Sequence, residues 1–182
     1  MRESLLHELA LAYATVGHYE EALQIPGLMN SQEQQNHTLG EIARLCVRSG
    51  NNSRVFEVSE MIRDNYARFL CDVGIVDAYV ASEQFALADH TLFEALVRAG
   101  MIERAYQKAL ALIEIAPRLA RREQTAKASE VLFEALSTVA LIDDGYRQSQ
   151  ALINLAGKYS ELGQPVGERE QTVLEEMRVK RG

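Results

Sequence analysis

Apolar residues recur along most of the chain at steps of three and four. Leu6, Leu9 and Tyr13 share one helix face near the start, and Leu152, Leu155 and Tyr159 do so near the end. No stretch keeps the two-residue alternation of a half-buried strand between turn residues. The pattern therefore predicts helices over about 3–16, 19–29, 33–49, 53–64, 66–82, 85–99, 102–121, 125–142, 145–162 and 167–180. Pro26 and Gly27 should stop the second of these near Ile25. Pro117 falls inside a strong helical pattern, where it removes one backbone hydrogen bond and should kink the helix. Gly157 occupies the matching place 40 residues later, so the same turn should be weak there.

The order of these segments is repetitive. "LFEAL" stands at Leu92–Leu96 and again at Leu132–Leu136. Shifting the chain by 40 from Glu83 to Gln124 matches 16 of 42 positions, where chance gives about three. Apolar positions coincide and polar ones drift, as expected of two copies of one packing unit. Upstream the interval is 33: Gly17, Gly50 and Glu83 follow helical stretches at that spacing, and Gly163 ends the series. Each segment reads as helix, tight turn, helix, with glycine favoured where the chain leaves the first helix in a left-handed conformation. The longer interval needs about seven more residues, two helical turns. Small residues that would let helix backbones approach recur at Ala10, Ala43, Ala116 and Ala156 before the turn, and at Ala22, Ala88 and Ala128 after it. The expectation is an all-α chain, a single helical repeat domain over residues 1–182, built of about five hairpins.

Composition narrows the function. Hydrophobic residues make up 47% of the chain, enough to order it. The net charge of −7 disfavours nucleic acid, because a negative chain repels phosphate. No apolar run approaches the ~20 residues of a membrane helix, and Glu3, His7 and Glu8 interrupt the first segment, so neither a membrane nor a secretory leader is expected. Cys46 and Cys71 lack metal-ligand spacing and read as reduced thiols of a cytoplasmic protein.

"LHELALAYATVGHYEEAL" resembles a tetratricopeptide repeat through Leu6, Leu9, Ala10, Tyr13, Gly17, Tyr19 and Ala22. "DAYVASEQFALADHTLFEAL" resembles it through Tyr79, Phe85, Ala88, Leu92 and Ala95. Asn52 and Pro165 replace the aromatic residue after the turn, and the family's terminal proline is missing. The resemblance implies an α-α superhelix, a solenoid of about five hairpins. It also implies a groove, lined by the first helix of each hairpin, that binds a peptide or protein. Residues of those helices lying off the packing seam are His7, His37, Glu41, Arg44, Arg48, Asp77, Glu114, Arg121, Asn154 and Glu161. Their mixed charge suits a polar peptide or a partner helix.

Other chemistry is weakly supported. His90 and Glu94 share a helix face but lie opposite the apolar residues, and two groups do not hold a metal. Arg118, Arg121 and Arg122 are either favourable charge at a helix C-terminus or an anion-recognising patch. Adjacent acids such as Glu20 and Glu21 read as solvated, and Asp143 or Asp144 as a helix cap. Phosphate loops, HExxH and GxSxG are absent. No catalytic, cofactor or metal residue is assigned. The alternatives to an interaction scaffold are an all-helical enzyme with a site between helices, and a homo-oligomer formed by stacking of array ends.

Overall fold

A computed structural model describes residues 2–181. Among them every regular element is helical: α1 (Arg2–Thr15), α2 (Tyr19–Gln24) followed by a 3₁₀ turn (Pro26–Leu28), α3 (Gln32–Arg48), α4 (Asn52–Glu60), α5 (Asn65–Ala81), α6 (Phe85–Gly100), α7 (Ala105–Arg121), α8 (Thr125–Val139), α9 (Gly145–Glu161) and α10 (Glu168–Arg181). Helices α3, α5, α7 and α9 are each 17 residues long. The change of interval is taken up by the second helices, since α4 has 9 residues while α6 has 16 and α8 has 15.

The five expected turn positions all adopt left-handed backbone: Gly17 at φ +86°, Gly50 at +74°, Glu83 at +58°, Glu123 at +62° and Gly163 at +60°. After each, the next N–H donates to a carbonyl five residues back: His18 to Tyr13, Asn51 to Cys46, Gln84 to Tyr79, Gln124 to Leu119 and Gln164 to Tyr159, at 2.9–3.0 Å. This closes the helix end and turns the chain back, satisfying carbonyls that would otherwise lack donors. Side chains also tie successive turns: Tyr19 Oη lies 2.6 Å from Ser49 Oγ, Asn52 Nδ2 donates to Gln84 Oε1 at 3.1 Å, and Ser129 Oγ to Gln164 Oε1 at 2.6 Å.

Several helix ends differ from the sequence expectation. Helix α4 stops at Glu60, α8 stops at Val139 and α7 starts at Ala105. Ile62, Ile102 and Ile142 carry the apolar period past the helix ends but are buried in the connecting loops. Two residues after each, the chain must become extended to cap the next helix, at Asp64 (ψ 125°), Arg104 (ψ 113°) and Asp144 (ψ 110°). The Asp64 and Asp144 carboxylates accept from the N–H groups of Ala67 and Arg147 at 2.7 and 2.8 Å. Pro117 does not end α7, and α9 likewise continues through Gly157.

The chain divides into two compact units, residues 1–95 and 96–182. In the first, α1 packs on α2 and α3, and α3 packs on α4 and α5. Its core joins Ala10, Ala22, Ile42, Ala43, Cys46, Val58, Ile75, Tyr79 and Ala88. Leu9 and Tyr13, expected in the seam, are instead exposed at 48% and 37%. Their counterparts 33 residues on, Ile42 and Cys46, are fully buried because α3 has first-helix neighbours on both sides.

In the second unit, α7 pairs closely with α8, and α9 packs on α7 and α8. Leu112, Ile115 and Leu119 of α7 and Leu132, Ala135 and Leu136 of α8 are buried. The two "LFEAL" copies share buried Leu92 and Leu132, and Ala95 and Ala135, but Leu136 is buried where Leu96 is half-buried, and Phe93 is exposed where Phe133 is half-buried. Helix α10 rests on α8, where the Arg169 guanidinium lies 4.4 Å from the Phe133 ring centroid. Its Val173 and Met177 join Ala151 and Leu152 of α9. Toward the turn the two helices part around a cavity of about 310 Å³. Three residues, Pro165–Gly167, separate Gln164 from the start of α10, whereas α8 begins directly after Gln124. Ala156, expected at a close helix crossing, is accordingly exposed and lines this cavity.

Candidate functional site

The first unit brings its six candidate residues onto α1, α3 and α5, which lie side by side. His7 is half-buried; its ring stacks on His37 with centroids 5.2 Å apart and planes at 19°. His7 Nδ1 lies 2.9 Å from Thr38 Oγ1, and Thr38 is fully buried. One turn further along α3, Glu41 and Arg44 form an ion pair, with Arg44 Nε donating to Glu41 Oε2 at 3.3 Å. Arg44, Arg48 and Asp77 then line one groove of about 330 Å³ with Gly74, Ala78, Ala81 and Ser82.

Gly74 has a specific role in that groove. A Cβ there would displace the Arg44 guanidinium, the flexible end of that side chain, from its present place over the bare α5 backbone. Arg48 is exposed and has no ion-pair partner among the described residues. Arg48 can pair with a partner's carboxylate in this shallow trough, and Arg44, held by Glu41, adds only its remaining N–H groups. The charge pattern marked Arg44, Arg48 and Asp77, but Gly74 was missed. Its signal was a glycine in the middle of a strong helical pattern, which costs about 1 kcal/mol unless something needs the space.

The second unit places Glu114, Arg121, Asn154 and Glu161 on α7 and α9. Arg121 Nη2 stands 3.5 Å from Glu161 Oε1, joining the two helices, and Lys158 Nζ reaches Glu161 Oε2 at 2.7 Å. Lys158 first, and Arg121 after it, hold the Glu161 carboxyl below its usual range. Glu114 pairs with Arg118 at 2.7 Å, which withdraws Arg118 from any patch with Arg121. Asn154 is exposed.

Other groups carry little chemistry. Burial pushes the Cys46 thiol up to about 11, so it stays protonated at neutral pH and is no nucleophile. Among the described residues no group of three or more His, Cys, Asp or Glu side chains is placed to hold a metal. No helix among them is long and apolar enough to cross a membrane.

No family model and no curated protein matches the chain. It is similar to the crystal structure of Ton1535 from Thermococcus onnurineus NA1, with a TM-score of 0.57 and 16% identity. The match covers 97% of this chain and 55% of that one, so this chain spans about half the length of its structural neighbour. The likeness concerns the fold alone.

Proposed function

We propose that this chain is a non-catalytic interaction module, a tetratricopeptide-like superhelix that holds a polar, extended segment of a partner protein against its first helices. The observation that carries the reading is the α3–α5 groove, in which Arg48 is exposed and Arg44 lies over a glycine. A rigid helical stack presents such side chains already in place, so binding loses little entropy. The partner segment is acidic where it meets Arg44 and Arg48. A cytoplasmic location and a lack of affinity for nucleic acid belong to the same reading.

A peptide-display selection on the wild-type chain and on an Arg44→Glu, Arg48→Glu double variant tests it. The wild type should enrich peptides with a recurring Asp or Glu, and the variant should lose them while its Tm stays within about 2 °C, as for substitutions outside the core. Enrichment of the same peptides by both proteins would refute the groove assignment.

One observation favours self-association as a second reading. Leu5, Leu9, Tyr13 and Val16 form an exposed apolar stripe on and just beyond α1, whereas the exposed surface of α10 is mostly charged. Sedimentation at micromolar concentration should then give a multiple of 20.4 kDa that a Leu5→Glu, Leu9→Glu variant returns to the monomer value. A wild-type chain already at 20.4 kDa would exclude this reading.

A further inference from the structure

The cavity between α9 and α10 is apolar on most of its wall, with Leu136, Leu152, Leu155 and Leu174 among the lining residues. Its volume of about 310 Å³ matches about ten heavy atoms at the ~30 Å³ of a water-sized group. Four polar side chains lie in the same wall; Ser160 is exposed and Gln164 Oε1 accepts from Ser129 Oγ at 2.6 Å, which leaves Glu170 and Tyr159 as the buried ones. Glu170 is 4% exposed, and both of its oxygens are occupied: Gly167 N–H donates to Oε2 at 3.0 Å and Arg169 Nε to Oε1 at 2.7 Å. Tyr159 is also buried; its hydroxyl meets no hydrogen-bond partner among the described residues and has under 1 Å² open to solvent, so a ligand reaches it only when the ring shifts toward the cavity. A buried hydroxyl left unpaired is rare and costs about 1–3 kcal/mol. The cavity therefore has an apolar body, a compensated charge and one polar group still to be satisfied.

We propose that this cavity is a binding site for a small neutral molecule with an apolar body and one hydroxyl or amide group, which pairs with the Tyr159 hydroxyl. Charge decides the class. Arg169 and Gly167 already hold the Glu170 carboxylate, and no Lys or Arg lies among the lining residues, so neither an anion nor a cation finds an unspent counter-charge there. Burial, then the nearby Glu170 carboxylate, push the Tyr159 phenol up to about 12, so it remains a neutral group that both donates and accepts. A partner's leucine side chain would fill less than half of the volume and leave the hydroxyl unpaired. An amphipathic small molecule satisfies both.

Titration of the full chain with 1-octanol, octanoate and octylamine, followed through leucine-methyl and tyrosine-ring NMR signals, tests this. Octanol should shift the Leu155 and Leu174 methyls saturably, and octanoate and octylamine should bind at least about five-fold more weakly. Tyr159→Phe should weaken octanol by about five- to ten-fold, the range of one neutral hydrogen bond, while keeping or raising the Tm because it removes an unpaired buried group. Leu174→Trp, which fills the space from a partly exposed position, should abolish binding in a folded chain. The proposal fails if no probe shifts these signals, if the charged probes bind as well as octanol, or if Tyr159→Phe binds octanol like the wild type.

Discussion

Helices α7 and α9 are copies of one another, and their burial diverges where their letters agree. Ala111 and Ala151 are both fully buried, and Ile115 and Leu155 are buried alike. Ile113 is 4% exposed but Ile153 is 65% exposed; Ala116 is buried while Ala156 is open. For Ala156 the neighbouring helices account for this. Helix α7 has α9 beside it and α8 closed against it, whereas α9 has α7 on one side and an α10 that parts from it near the turn. An apolar pattern marks the face that can pack, but burial depends on whether another element arrives.

Core truncation should break the comparison most strongly. Leu132→Ala, in the closed α7–α8 pair, should cost about 2–5 kcal/mol through lost transfer energy and a residual cavity. Leu174→Ala faces a cavity that already exists and should cost less than about 1 kcal/mol. Urea unfolding of both variants measures the contrast, and equal losses would mean that α10 is as closely packed as α8.

The hairpin order was legible in the sequence because each turn leaves a chemical mark. Gly17, Gly50 and Gly163 supply left-handed backbone at fixed intervals, and the interval alone located Glu83 and Glu123. The ends of α4 and α8 were not legible, since Ile62 and Ile142 look helical in period but anchor loops. Leu9 and Tyr13 were misplaced because nothing in a residue's own letters counts its neighbours. The grouping of Arg44, Arg48 and Asp77 followed from charge and spacing. The α9–α10 cavity could have been suspected from "PVG", which delays the last helix where its copy starts at once.

Alkaline titration sets Cys46, buried on α3 of the first unit, beside Tyr159 at the α9–α10 cavity. Cys46 in a closed hairpin rises from 9.0 to about 11, and Tyr159 beside the cavity rises from 10.0 to about 12. A raised folded pKa keeps its stability below the unfolded value and loses it as pH climbs to the folded one. Stability should therefore fall between pH 9 and 11 through Cys46, by up to about 3 kcal/mol. Cys46→Ala should flatten that decline when Tm is followed against pH, and an unchanged slope would assign it elsewhere.

The turns give the smallest contrast. Gly163→Ala places a Cβ in left-handed backbone and should cost about 1 kcal/mol, while Glu123→Gly should gain about 0.5–1 kcal/mol by relieving the same strain. Paired thermal melts check the opposite signs.

Native-state hydrogen exchange tests the central claim most directly, namely that the α7–α8 hairpin is closed and the α9–α10 hairpin is open near its turn. Amides of α8 from Ala128 to Leu136 should exchange at least ~100-fold more slowly than those of α10 from Gln171 to Leu174, because local opening of α10 exposes little packed surface. Equal protection in the two helices would contradict it.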